Sequence, residues 1–195
     1  IQGPLRTLIE SEKHREQLNK TMLSGDRLSM LVDLGSRINA IGINTERKFT
    51  RMSSRHGLET TYMPLAKRLY VNGVGTDSAT SDYETVTPIA VKFKDQPTIL
   101  ESFRANVTEG CGADLPAILG SKDMQEKDSV IVLREGKEFI AFPGPGGYKI
   151  VWSPGTKLFP MESTSSGHLV IPCDRFDDLP KNSDDAEPKT SFCTD

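Results

Sequence analysis

Apolar positions in this chain come in short runs, several of them with period two. Residues 27–32 end in the continuous apolar triplet Met30-Leu31-Val32, which reads as a strand buried on both faces. Ile38-Asn39-Ala40-Ile41-Gly42 is a short apolar return. Residues 65–71 read as a strand, and 84–93 is rich in β-formers, with Thr85, Thr87, Ile89 and Val91 on alternating positions and Val86 between the first two. A polar, glycine-rich stretch joins these two, which predicts a hairpin. Residues 98–107 form a further strand, and 115–119 a short one ending in Gly120. Residues 129–134 and 138–142 pair about the Glu135-Gly136-Lys137 turn. Beyond the hard break Pro143-Gly144-Pro145-Gly146-Gly147, residues 148–152 and 168–171 add two strands. Short strands at this spacing predict a mainly β fold, a small barrel or sandwich.

Helical spacing is confined to three places. Residues 44–55 carry Asn44 as an N-cap and Gly57 as a stop. That helix presents Arg47, Lys48, Arg51 and Arg55, either a solvated face or a site for an acidic partner. Ser121 is placed to cap a short helix running to Lys127. Residues 5–23 have a thin stripe of Leu5, Leu8, Ile9, Leu18, Met22 and Leu23, with a polar middle. Such a helix stabilises itself poorly and needs a surface to lie on. From Asp174 onward the chain turns acidic (Asp177, Asp178, Asp184, Asp185, Glu187), the composition of a disordered tail. The expected organisation is a helical arm at 1–25, a domain at 26–173 and an acidic tail at 174–195.

Composition narrows the function classes. With 195 residues and a net charge of -3, the chain is long enough for one domain with a core and terminal extensions. Charges nearly cancel, so a nucleic-acid partner is not expected; only the basic helix hints at one. No apolar segment reaches bilayer length, so no transmembrane segment is expected. Ile1-Gln2-Gly3-Pro4 is neither a signal peptide nor an initiating Met, which suggests excision from a polyprotein or removal of a leader. Cys111, Cys173 and Cys193 are an odd, sparse set, not at metal-ligand spacing to one another or to His14, His56 or His168. Reduced thiols in a reducing compartment or organelle interior are expected, with no cofactor or metal. Trp152 is expected in the core, with a partner anchor as the alternative.

The candidate chemistry lies in Leu31-Val32-Asp33-Leu34-Gly35-Ser36. Aspartate and glycine at a strand end also suit an ordinary turn. Features further along the chain raise the interest. Gly73-Val74-Gly75 begins a hairpin tip, and Ile118-Leu119-Gly120 leads into a short helix. This order of aspartate loop, flap hairpin, crossing strand with glycine, then helix resembles the retropepsin family of aspartic proteases. Asp114-Leu115-Pro116-Ala117-Ile118-Leu119-Gly120, the break from Phe142 to Tyr148, and Ser166-Gly167-His168-Leu169-Val170-Ile171-Pro172-Cys173 are similar to the protease region of retrotransposon polyproteins (gag-pol, copia type), with a likeness to protist variants. The resemblance covers about residues 26–173.

The resemblance implies a retropepsin-like closed β-barrel with one or two short helices. Its flap would lie at about 73–84 and its extra C-terminal strands at 143–173. It implies a catalytic Asp33, supported in its loop by Gly35 and Ser36, with Ser36 bonding the aspartate. It also implies a flap of Gly73, Val74, Gly75 and Thr76 closing over an extended peptide substrate. Peptide hydrolysis by this class uses a water held between two carboxylates sharing one proton. The chain has a single Asp-x-Gly-[Ser/Thr], so an active enzyme must be a homodimer with Asp33 of each copy on the two-fold axis. One position departs from the pattern. The family carries a hydroxyl directly after the aspartate, bonding across the dyad, and this chain has Leu34. A pair of Leu34 side chains would hold a dimer by apolar contact and desolvate the aspartates. Two functions therefore stand side by side: a dimeric aspartic endopeptidase derived from a retroelement, and a non-catalytic domain of the same fold. The latter would bind protein partners in a larger assembly through its arm and tail.

Overall fold

The computed structural model describes residues 23, 27–71, 78–92 and 97–174. The predicted arm at 1–25, apart from Leu23, and the acidic tail beyond Asp174 lie outside the described residues. The chain divides into two compact units, Ile1–Val151 and Trp152–Asp195. The fold is mainly β, as the alternating patterns predict.

The first unit is built on a six-stranded sheet. Its strands are β1 (Met30–Asp33), β2 (Ala40–Gly42), β3 (Thr61–Val71), β4 (Ala79–Lys92), β5 (Thr98–Thr108) and β6 (Ala117–Gly120), in the order β1-β6-β2-β5-β4-β3. Helix α1 (Ile43–Ser54) follows β2, and the short helix α2 (Ser121–Glu126) follows β6. β7 (Val130–Val132) and β8 (Phe139–Ala141) form the predicted small hairpin.

β3 to β5 form an antiparallel meander whose alternation is the period-two pattern of the sequence. Along β4 the inward positions are Ala79, Ser81, Thr85 and Thr87; along β5 they are Phe103, Ala105 and Val107. Phe103, Ala105 and Val107 join Ile41, Phe49 and Ala117 in the main core, flanked by Leu28, Met30, Ile43, Tyr83 and Ile89. α1 meets this core through Thr45, Glu46, Phe49 and Ser53, one helical face, leaving Arg47, Lys48 and Arg51 outside. Glu46 is 1% exposed, and its carboxylate accepts from the hydroxyls of Thr50 and Tyr62 at 2.5 and 3.0 Å. Burial raises the pKa of Tyr62 above the usual phenol value.

Several boundaries differ from the expectation. The first strand starts at Met30 rather than residue 27 and lies at the edge of the sheet, so Val32 is 41% exposed instead of buried on both faces. β4 begins at Ala79 rather than residue 84, so the second half of the expected flap at 73–84 belongs to a strand. A large bulge interrupts β3: residues 65–68 oppose Asp82 alone, and Arg68 grips Asp82 with two bonds of 2.6 and 2.7 Å. Residues 148–152 form no strand. In the second unit the strands are β9 (Glu162–Ser163) and β10 (Leu169–Val170), two residues each. Trp152 is 54% exposed, a correction to its expected core position. Residues 152–161 form no helix or strand.

The helix caps are also corrected. α1 is preceded by Gly42 with no side-chain cap, and Asn44 instead donates from Nδ2 to Asp114 Oδ1 at 2.8 Å. The orphan donor at Asn44 N is taken by the carbonyl of Ala113 at 2.9 Å. A Cβ on Gly42 would lie 2.4 Å from that Ala113 oxygen, which is why glycine stands there. α2 is preceded by Gly120, and Ser121 is its first residue rather than its cap.

Candidate functional site: the Asp33 loop

Asp33 is the last residue of β1, and its register partner on the parallel strand β6 is Gly120. The chain then leaves the strand through Leu34 and Gly35 and returns at β2. Gly35 N donates to Asp33 Oδ1 at 2.8 Å, and Ser36 N donates to the Asp33 carbonyl at 3.2 Å. The carboxylate is thus folded back on its own turn, the local geometry that aspartate before glycine favours. A Cβ at Gly35 would sit 3.1 Å from Asp33 Oδ1, so a side chain there would crowd the carboxylate. Asp33 is half-buried, while Leu34 next to it is 49% exposed. With Val32, Leu34 places apolar surface on both chain neighbours of Asp33.

Ser36 bonds Asp33 through its backbone rather than its hydroxyl. Its Oγ donates to the Ile38 carbonyl at 2.8 Å, and only its backbone N–H reaches the Asp33 residue. Gly73, Val74, Gly75 and Thr76, the expected flap tip, lie outside the described residues. The two strands that would carry it, β3 and β4, pair up to Val71↔Ala79.

The loop is held from beneath by the junction of β6 and α2. Ser121 N and Ser121 Oγ both donate to the Ser36 carbonyl, at 2.7 and 3.0 Å, and Lys122 N donates to the Arg37 carbonyl at 3.1 Å. The two N–H groups are orphan donors at a helix start, used by carbonyls of the aspartate loop in place of a cap. Gly120 approaches so closely that a Cβ would lie 2.5 Å from the carbonyl carbon and oxygen of Ile38. Asn39 completes the junction. Its Oδ1 accepts from Gly120 N at 2.8 Å, and its Nδ2 donates to Asp123 Oδ2 at 2.7 Å and to the Arg104 carbonyl at 2.9 Å. Its own carbonyl accepts from Asn106 N and Nδ2, both at 3.1 Å. One buried amide therefore ties the loop to β5, β6 and α2.

Asn39 and Asp123 do not stand out in the sequence. The available signal is a polar residue inside the apolar run from Ile38 to Ile41, since a buried amide must find partners. Two ion pairs lie on the surface of the sheet among the described residues, Arg68 with Asp82 and Arg104 with Glu84. Arg104 bonds Glu84 through Nε and Nη2 and holds that carboxyl below its usual range. Arg37, in the aspartate loop itself, is exposed and donates to Gln125 Oε1 at 2.7 Å.

As chemistry, the loop offers one oriented, partly solvated carboxylate on a rigid support. One carboxylate alone cannot serve as acid and base together. Among the described residues, no group of three or more His, Cys, Asp and Glu gathers to hold a metal ion, and no helix is long and apolar enough to cross a membrane. A scan against protein-family models finds no match to this chain, and searches of curated proteins and of solved structures find none either.

Proposed function

We propose that this protein is a retropepsin-like aspartic endopeptidase domain derived from a retroelement polyprotein, active as a homodimer in which each copy supplies one Asp33. The observation that carries this reading is the seating of the aspartate loop. Asp33 ends a strand in parallel register with Gly120, and Gly120 is packed against the loop's return so tightly that no side chain fits. That is the arrangement expected if the Ile118-Leu119-Gly120 strand passes beneath a catalytic turn. The exposed Val32 and Leu34 beside Asp33 give the apolar surface that a two-fold contact at this loop would bury. A closed barrel and a flap over an extended peptide belong to the same proposal.

In the dimer, two carboxylates at the axis share one proton. One activates the attacking water while the other protonates the scissile carbonyl oxygen. The apparent pKa values of such a dyad belong to the pair. The test is cleavage of a peptide library at mildly acid pH, abolished by Asp33→Asn. A dimer, shown as such by sedimentation, that cleaves nothing across the pH range sinks the reading.

A specific residue favours a second reading. Leu34 cannot make the hydroxyl contact that would stiffen the two loops across the axis. On that reading the domain is a non-catalytic interaction module, with protein partners along residues 1–25 and the acidic tail. A strictly monomeric protein at high concentration is its signature.

A further inference from the structure

Ser121 is 2% exposed, and both of its donors converge on one acceptor, the Ser36 carbonyl. We propose that Ser121 is a positioning residue for Asp33, its hydroxyl fixing the turn on which the carboxylate is carried. The proposal rests on the endopeptidase reading above and adds a residue to it.

The bonds inside the turn, Gly35 N to Asp33 Oδ1 and Ser36 N to the Asp33 carbonyl, give the turn its shape. They do not fix it to the rest of the protein, because both partners move with the loop. Fixing comes from the β6–α2 junction, where Arg37 and Asn39 reach out to Gln125 and Asp123 and four donors reach back: Gly120 N, Ser121 N, Ser121 Oγ and Lys122 N. Three of these are backbone groups that a helix start would present with any side chain. Ser121 Oγ is the side-chain donor among them, and with Ser121 N it gives the Ser36 carbonyl two donors. Ser36 lies three residues from Asp33, so a shift of its carbonyl is passed to the carboxylate through a short turn. The position after Asp33 is Leu34, which has no hydroxyl with which to brace the loop from the dimer side. The hydroxyl bracing the loop from below is therefore supplied by Ser121.

Removing it should loosen the turn without emptying the core, because Ser121→Ala deletes one atom. A misplaced carboxylate lowers turnover more than substrate binding, which depends on contacts along the whole peptide. Three proteins would be compared as dimers of measured concentration: wild type, Ser121→Ala and Ser121→Thr, which keeps the hydroxyl. The expected result for Ser121→Ala is a fall in kcat of about tenfold to a hundredfold with KM nearly unchanged. Amide exchange at Gly35 and Ser36 should quicken about tenfold in the same variant, while Val107 in the core keeps its protection. Ser121→Thr should recover most of both. If wild type cleaves and Ser121→Ala matches it in kcat, the positioning role is overturned, even where exchange has quickened. Unchanged exchange at Gly35 and Ser36 overturns it as well. A dimeric wild type that does not cleave overturns the endopeptidase reading itself, a result separable from the other two because it appears before any variant is made.

Discussion

Gly120→Ala tests the packing beneath the aspartate loop. The added methyl would lie 2.5 Å from the carbonyl carbon and oxygen of Ile38 and 2.9 Å from its nitrogen. Carbon atoms pack at about 3.5 Å or more, so β6 and the loop must separate by about 1 Å. All three obstructing atoms are backbone, so no rotamer change relieves the clash. Overpacking of this kind costs about 1–3 kcal/mol. The separation also strains the bonds from Gly120 N to Asn39 Oδ1 and from Ser121 N to the Ser36 carbonyl, each worth about 1 kcal/mol. The expected loss is about 2–5 kcal/mol. At about 2–4 °C per kcal/mol for a chain of this size, the melting temperature should fall by about 4–20 °C. Circular dichroism melts and urea titrations would measure it, with Gly144→Ala as comparator. No heavy atom lies within 4 Å of the place a Cβ would take on Gly144, so its change should stay within about 0.5 kcal/mol. If the two variants melt together, the close approach of β6 to the loop is not a rigid feature and the seating argument fails.

Two further outcomes concern the sheet. Thr85 Oγ1 is buried without a hydrogen-bond partner among the described residues, so Thr85→Val, nearly the same shape, should stabilise by about 1 kcal/mol; a lower urea midpoint for the variant would contradict this. Arg104 depresses the pKa of Glu84, so the contribution of that pair is present above the unfolded carboxylate pKa of about 4.3 and is lost as pH falls through the lower folded value. Glu84→Gln should therefore melt slightly below wild type near neutrality and converge with it on acidification, and a gap that widens in acid would count against the assignment.

Much of the sheet is legible in the sequence because its long strands alternate. β4 and β5 show their buried faces in the spacing of Thr85, Thr87 and Ile89 and of Phe103, Ala105 and Val107. The helix starts mislead for one shared reason. Asn44 and Ser121 are good capping residues, yet glycines hold both cap positions, and the first-turn donors Asn44 N, Ser121 N and Lys122 N go to the carbonyls of Ala113, Ser36 and Arg37, which are distant in sequence. Local capping preference gives way when a tertiary carbonyl is closer, and no local pattern announces that. Gly42 and Gly120 are the legible trace of it, since both stand where another chain segment passes too close for a Cβ. Trp152 misleads through its size: large apolar residues are usually covered, but this one is 54% exposed, in a stretch without helix or strand. At the candidate site, the aspartate turn can be read residue by residue. Its support cannot, because Asn39 acts through bonds to Gly120, Asp123 and Arg104, and only folding brings these together.

The central claim is that catalysis needs Asp33 from two copies. It is tested most directly by mixing wild type with Asp33→Asn at fixed total concentration, well above the dissociation constant, after exchange of subunits. Random pairing leaves about a quarter of the dimers with two intact aspartates in an equimolar mixture, so cleavage should fall to about a quarter of the wild-type rate. A rate of about one half would mean that each chain acts on its own, and would contradict the shared site.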